Sequence, residues 1–162
     1  MAILKLNIDD IEENEFSLLA IHTSLEDYRL AYLINQKLSI KLEKSKKEFI
    51  MENKQGDTHF SRFEFEDKKK DIIWTLFQNK NEISLKNVTT AFNLFSTNNL
   101  SDYTTTFLLT EFKKTDFFLK IDNGDELFDT ELINTTVNSI NKVGMAYWVD
   151  VQKIKNKNNL IF

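Results

Sequence analysis

The chain has 162 residues, long enough for one domain to bury roughly 70% of the surface that its unfolded form exposes. It contains no cysteine, which excludes disulfides, thiolate nucleophiles and cysteine-ligated metal sites. Its formal net charge of -4 argues against a dedicated nucleic-acid binder, because such proteins carry a basic surface. We therefore predict a single domain over residues 1–162, with nucleic acid an unlikely partner.

The N-terminal stretch MAILKLNIDD lacks the basic region, the long apolar segment and the cleavage site of a signal peptide. No apolar run approaches the roughly 20 residues that cross a bilayer. The sequence therefore predicts a cytoplasmic protein without membrane contact. It also has no proline, three glycines and 14 phenylalanines, so phenylalanine is expected to be the main core residue.

The first third predicts a strand followed by a helix. Residues 16–22 are mostly apolar and suit a central strand, and Ser24 is a good N-cap for a helix over residues 25–38, with Asp27 completing a capping pair. A helical wheel places six residues on one wide apolar arc: Leu25, Tyr28, Ala31, Tyr32, Ile34 and Leu38. That arc predicts a helix lying across a sheet.

The middle of the chain predicts a meander of antiparallel strands. KEFIM and HFSRFEFE flank a loop that contains Gly56, and IIWTLFQNK follows as another strand. Residues 80–103 are polar, with scattered apolar positions, and predict a surface loop with a short strand at residues 83–88.

The last third repeats the order strand, helix, strand. TTTFLLTEF and TDFFLKI predict two strands joined near Lys113 and Lys114, residues 125–143 predict a helix, and GMAYWVDVQKI predicts a final strand. The helix gathers its apolar residues on one face: Leu132, Ile133, Val137 and Ile140. We therefore predict an α+β fold, with an antiparallel or mixed sheet, two main helices on one face and two pseudo-equivalent strand–helix–strand halves.

Catalytic motifs have little support. His22, Ser24 and Glu26 can be written as a hydrolase constellation, but no Gly-x-Ser-x-Gly elbow is present and a capping role explains Ser24 better. His59 has no second histidine at ligand spacing, and no glycine-rich phosphate loop occurs. The sequence predicts no metal site and no cofactor.

Glu111 and Asp116 form the most suggestive pair of acids. If the chain turns at Lys113 and Lys114, the two carboxylates lie on neighbouring strands, where close approach would raise one pKa and create an acid/base pair. The alternative, which we favour, is that each acid faces solvent or pairs with a lysine.

The segment LTEFKKTDF, residues 109–117, resembles the motif that gives the IPExxxVDY family of Bacteroidota its name, and IHTSLEDYRLAYLIN and DFFLKI resemble other segments of that family. Glu111 and Asp116 keep the named letters of the motif. Four motif positions differ: Leu109 stands for Ile, Thr110 for Pro, Thr115 for Val and Phe117 for Tyr. The resemblance implies a bacterial source and a cytoplasmic setting, and it implies no activity.

We expect a non-enzymatic protein-binding or adaptor module whose partner is another protein. A Phe-bearing edge strand or the terminal NNLIF are the candidate contacts. The terminal segment is equally compatible with an edge strand docked on its own core, and the helices are compatible with a homodimer. The rival expectation is a small-molecule-binding protein or enzyme in which His22, Glu111 and Asp116 share one pocket.

Overall fold

The computed structural model describes residues 16–54, 56–84, 103–123, 128–155 and 157–160. Within these residues the chain forms two α-helices, α1 (Asp27–Leu38) and α2 (Thr130–Asn138). Ten strands accompany them: β1 Phe16–Thr23, β2 Glu43–Lys44, β3 Phe49–Met51, β4 Thr58–Phe60, β5 Arg62–Asp67, β6 Ile72–Gln78, β7 Lys80–Ser84, β8 Tyr103–Phe107, β9 Phe117–Asp122 and β10 Val143–Trp148. Short 3-10 helices occupy Thr110–Phe112, Val151–Lys153 and Lys157–Leu160.

Six of the strands form the main sheet, in the order β10-β1-β9-β6-β5-β2, and every neighbouring pair is antiparallel. One row of paired residues crosses five of these strands: Trp148, Leu19, Leu119, Leu76 and Phe63. Side chains alternate between the two faces along each strand, so these five directly paired apolar residues lie on the same face of the sheet. β3 with β4, and β7 with β8, form two small antiparallel pairs outside the main sheet.

Both helices pack on the face that this row presents. Leu30, Ala31 and Ile34 of α1 and Ile133 and Val137 of α2 are buried, and they join the row's residues in one core cluster. The expected α+β fold, with two helices on one face of an antiparallel sheet, is confirmed.

The opposite face of the sheet is covered by smaller pieces of the chain. Leu18 and Phe118 point to this side and pack with Phe60 from β4. Ile154 and Leu160, from the C-terminal segment, are 3% and 0% exposed and complete this second cluster. Of the two expectations for the C-terminal stretch, its described part therefore follows docking on the protein's own core, although as a 3-10 helix and not as an edge strand.

Both ends of the chain follow the expected order of strand, helix and strand, but the two units are built differently. From the alternation of directions across the sheet, β9 and β10 run parallel with only β1 between them, whereas β1 and β2 run parallel with three strands between them. The connections β1–α1–β2 and β9–α2–β10 therefore share the order strand, helix, strand, but they cross different numbers of strands.

The start of α1 corrects the sequence interpretation. The helix begins at Asp27 with Glu26 as its N-cap residue, so the expected cap at Ser24 is wrong. Instead, the Thr23 hydroxyl accepts a hydrogen bond from the Leu25 backbone N–H at 3.1 Å, so a capping-type contact forms one residue before Ser24, in the turn that leaves β1.

The outer side of α1 is a second correction. The helical wheel places Tyr28 and Tyr32 on the buried arc, yet they are 62% and 59% exposed. The helix buries a narrower stripe than its apolar content predicts, and its two tyrosines face away from the sheet.

Candidate functional site

The family-like segment is a loop between strands and not a hairpin. β8 ends at Phe107 and pairs with β7, so it does not pair with β9 as the sequence analysis expected. Leu109 is 0% exposed in the second core cluster and Phe117 is 5% exposed in the first. We call residues 109–117 the motif loop; its two ends are anchored in the cores on opposite faces of the sheet.

Asn79, between β6 and β7, organises this loop. Its side chain is fully buried, its Oδ1 accepts the backbone N–H of Leu109 at 2.8 Å, and its Nδ2 donates to the carbonyls of Phe112 and Thr115 at 2.9 and 3.0 Å. The Asn79 backbone adds a bond from its N–H to the Asp116 carbonyl at 2.9 Å. One buried amide therefore satisfies three backbone groups of residues 109–115, which lie outside the strands that the structure describes.

Glu111 lies on the 3-10 turn of the motif loop, where its side chain reaches the C-terminal segment. Its two carboxylate oxygens accept the backbone N–H of Lys155 at 2.9 and 3.2 Å. Lys155 directly follows the buried Ile154, so this contact holds the C-terminal segment against the second core cluster.

Asp116 lies just before β9 and reaches the end of β1. Its Oδ2 accepts the backbone N–H of Thr23 at 2.9 Å, and its Oδ1 lies 3.9 Å from the Lys80 ammonium. The expected facing pair of carboxylates is therefore not formed, since Glu111 and Asp116 each bind a different, distant segment. Both acids that keep the letters of the family motif accept backbone N–H groups, which is a structural role.

Asp116 also lines a cleft of about 370 Å³ at the start of α1, which we call the α1 cleft. Its other lining residues include Thr23, Ser24, Glu26, Asp27 and Lys80. Three carboxylates and one ammonium give the lining an excess of negative charge. Neither Glu111 nor His22 lines it, so the expected trio of pocket residues is represented there by Asp116 alone.

His22 lies on β1 and stacks against the ring of Tyr147, with the ring centroids 5.7 Å apart and the ring planes inclined at 29°. Its Nε2 is buried and has no hydrogen-bond partner among the described residues. Across the described ranges, no group of three or more His, Asp or Glu side chains is placed to hold a metal ion.

The outer faces of the two helices carry large exposed apolar side chains. Tyr28, Tyr32 and Leu132 are 62%, 59% and 61% exposed. Tyr28 and Tyr32 are one helical turn apart and therefore lie on the same side of α1. We call these two tyrosines the helix patch.

Hydrogen bonds hold the two tyrosines of the helix patch. The Tyr32 hydroxyl accepts a bond from Gln36 Nε2 at 2.8 Å. The pKa of Tyr28 is raised above its usual 10.0, mainly because its phenol donates a hydrogen bond to Glu26 and secondarily because of that residue's negative charge. The Tyr32 phenol is thus bonded to a residue of its own helix, and the Tyr28 phenol interacts with the N-cap residue.

Two of these features escaped the sequence analysis. Asn79 follows a strand, where a polar residue ordinarily indicates a turn, and its partners lie 30 to 36 positions away. For the two exposed tyrosines the sequence offers one weak indication. Tyrosine carries a polar hydroxyl and is fully buried less often than leucine.

No protein-family model, curated protein or solved structure matches this chain. In the described parts of the chain, no helix has the length and apolar character needed to cross a membrane. The fold defines the chain as an α+β protein with two helices on one face of a six-stranded antiparallel sheet.

Proposed function

We propose that this chain is a non-enzymatic binding module of the bacterial cytoplasm and that it docks another protein on the helix patch. The observation that carries the proposal is the exposure of Tyr28 and Tyr32, each about 60%, on one side of α1. Tyrosine is among the residues that most often dominate the binding energy of protein interfaces, because its ring offers a large apolar area with a polar end.

The hydrogen bonds of the two phenols strengthen this proposal. Gln36 donates a hydrogen bond to the Tyr32 hydroxyl, and Glu26 interacts with the Tyr28 phenol and raises its pKa. A side chain whose orientation is already restricted loses less conformational entropy when a partner covers it. The helix patch is therefore pre-organised for contact.

Charge favours a protein over a nucleic acid as the occupant of the helix patch. Glu26 and Asp27 lie beside Tyr28, and the whole chain has a net charge of -4. These carboxylates repel phosphate groups, whereas an apolar protein surface with a basic rim complements them.

The test is an interface crosslink with a matched control. A photoreactive residue placed at Tyr32 should capture a partner in cells of the source organism, and one at Tyr103, a tyrosine of β8 with 61% exposure, should not capture that partner. The partner's affinity should then fall roughly tenfold or more for Tyr28→Ala/Tyr32→Ala and stay unchanged for Tyr103→Ala. Equal affinities for the two variants would refute the helix patch as the docking surface.

A second candidate function comes from the α1 cleft. Its volume of about 370 Å³ is within the range of small-molecule sites, and its excess of carboxylates suits a ligand with a cationic group. This version of the small-molecule alternative uses Asp116 without Glu111 and His22. Native mass spectrometry of the purified protein tests it: a co-purifying amine should be lost in Glu26→Gln and kept in Glu111→Gln, and retention in both variants would exclude the cleft.

We also propose that the chain is a divergent relative of the IPExxxVDY family. The contacts of Glu111 and Asp116 support this, because acids that hold the chain's own backbone explain why a sequence keeps these two letters while Pro and Tyr are replaced. An alignment of relatives should then show Asn79 retained together with both acids. Independent variation of the three positions would contradict the proposal.

A further inference from the structure

β10 is the outermost strand on its side of the described sheet. It pairs with β1, and the bond from the Val149 N–H to the Leu18 carbonyl at 2.9 Å shows which residues face that neighbour. By the two-residue period, Val149, Tyr147 and Met145 direct their backbone groups to β1. The N–H and C=O of Ala146 and Trp148 therefore point away from the sheet. Such an edge is a template for pairing with another strand.

The outward groups of Ala146 are already bonded to a side chain. The Ala146 N–H donates to Asn138 Oδ1 at 2.8 Å, and Asn138 Nδ2 donates to the Ala146 carbonyl at 2.9 Å. These are the two bonds that a residue of a seventh antiparallel strand would make with Ala146. The carboxamide thus imitates one peptide unit of a neighbouring strand.

Two further contacts hold Asn138 and β10 in this arrangement. Asn138 is the last residue of α2, and its Nδ2 also contacts the carbonyl and the Oδ1 of Asn134 at 2.8 and 2.9 Å. At the other end of α2, the Trp148 indole N–H donates to the Thr130 carbonyl at 3.0 Å. Residues at both ends of α2 are therefore hydrogen-bonded to β10.

We propose that Asn138 closes the β10 edge and thereby keeps a second copy of this chain from pairing with it there. A strand can pair with its own copy about a two-fold axis, so an open β10 needs no other protein to form a continuous sheet. The exposed Met145, with 52% of its surface accessible, offers no charge against such pairing. β10 is short, and the outward N–H and C=O of its central residue Ala146 are already bonded to Asn138. A second strand therefore cannot form a continuous ladder along this edge. This device is independent of the helix patch.

The first test is the association state of Asn138→Ala, measured by sedimentation over a wide range of protein concentration. The wild type should remain monomeric, whereas the variant should self-associate as concentration rises. Asn134→Ala is the matched control, because it removes a neighbouring amide and leaves both Ala146 bonds in place. Adding Met145→Lys to Asn138→Ala should restore the monomer, since an edge lysine opposes strand pairing. A folded Asn138→Ala that stays monomeric would overturn the proposal.

Amide hydrogen exchange keeps the proposal falsifiable if Asn138→Ala does not fold. In the monomeric wild type, the Ala146 amide should exchange at least about tenfold more slowly than the Trp148 amide, which faces the same edge without the Asn138 bond. Asn138→Asp retains an acceptor for the Ala146 N–H and loses the donor, so it should keep part of that protection. Equal exchange rates at Ala146 and Trp148 in the wild type would show that the edge is not closed.

Discussion

Glu111 and Lys155 are 44 positions apart, and the carboxylate of the first holds the backbone N–H of the second at 2.9 Å. The contact joins the motif loop to the segment that covers the second core cluster. Because the acceptor is a side chain and the donor is a backbone group, any residue at position 155 other than proline can make the bond. A carboxylate at position 111 is therefore expected to matter for how firmly the C-terminal segment is held.

Glu111→Ala should release that segment without unfolding the sheet. Glu111 is exposed, so the loss in global stability should be only about 1 kcal/mol, below the 1.5 to 3 kcal/mol typical of bonds to charged groups. The local effect should be larger: the Lys155 amide should exchange faster, and proteases should cut near it. Glu111→Gln, which keeps an acceptor, is the control and should retain most of the protection. Equal protection in all three proteins would show that the bond does not hold the segment.

Asn79→Ala should be among the most destabilising single changes in the chain. It leaves the Leu109 N–H and the Phe112 and Thr115 carbonyls without their side-chain partner at a buried site. Unsatisfied buried groups cost about 1–3 kcal/mol each, and partial rearrangement will recover some of that, so we expect a loss of about 3 kcal/mol in the free energy of unfolding. Urea denaturation measures it.

Asn79→Asp sharpens this prediction. Aspartate has nearly the same size and keeps the acceptor for Leu109, but when ionised it donates no hydrogen bond and brings a charge into the core. It should therefore destabilise at neutral pH at least as much as alanine does, and recover part of the loss at acid pH. A loss below about 1 kcal/mol for both variants would contradict the organising role of Asn79.

Two variants of Asp116 can separate the contributions of a charge and of a hydrogen bond to stability. Asp116→Asn retains an acceptor for the Thr23 N–H and loses only the attraction to Lys80, which lies 3.9 Å away and is 43% exposed. Pairs of that kind contribute about 0–1 kcal/mol, so asparagine should be nearly neutral. Asp116→Ala also loses the backbone bond and should cost about 1–2 kcal/mol in thermal or chemical denaturation. If both variants lost the same amount and the loss vanished in high salt, the charge would be the cause.

The main elements of this fold were readable in the sequence because they depend on local periodicity. The alternating residues of β5 and the stripe of α2 that contains Ile133 and Val137 each indicate an inward face, the apolar run of β9 indicates a strand, and the expected α+β layering follows from them. These features need no knowledge of which strand pairs with which.

The candidate site was less accessible because it depends on pairing between distant segments. Glu111 and Asp116 face different partners since β8 pairs with β7 and leaves residues 109–116 as a loop. The contact that shapes the loop comes from Asn79, whose local sequence resembles an ordinary turn. The helical wheel of α1 misplaced Tyr28 and Tyr32 because it ranks apolar character and does not contain the position of the sheet beneath the helix.

Lys120 and Asp122 form an ion pair on the face opposite the helices. The Lys120 side chain is 5% exposed, its ammonium lies 2.9 Å from the Asp122 carboxylate, and it sits 4.9 Å from the centre of the Phe16 ring. Asp122→Asn removes the charge that balances a buried ammonium and should cost about 2–3 kcal/mol, less than a fully buried pair because Asp122 is 21% exposed.

The double variant gives the control for that pair. Lys120→Met fills similar space without charge, so Lys120→Met/Asp122→Asn should be more stable than Asp122→Asn alone. A thermodynamic cycle over the four proteins, from chemical denaturation, should give a coupling free energy of about 1–3 kcal/mol. Strictly additive losses would mean that the two charges do not stabilise each other.

The pKa of the Tyr28 phenol should depend on Glu26. The hydrogen bond to Glu26 and the negative charge there raise the pKa of Tyr28 above its usual 10.0. The folded state therefore favours the neutral phenol, and this contribution to stability is present below the ordinary pKa and lost as pH rises through the raised one. Glu26→Gln should lower the pKa of Tyr28 towards 10.0, as followed by NMR titration of its ring.

Asp27→Asn is the matched comparison for Tyr28. Asp27 also raises the pKa of the phenol, but through its charge alone and as the smallest of the contributing causes. Its removal should therefore shift the titration less than the removal of the Glu26 charge does. If the two variants shifted it equally, long-range charge would account for the raised pKa and the hydrogen bond that orients Tyr28 in the helix patch would be absent. The pre-organisation of that surface would then rest on the bond between Gln36 and Tyr32 alone.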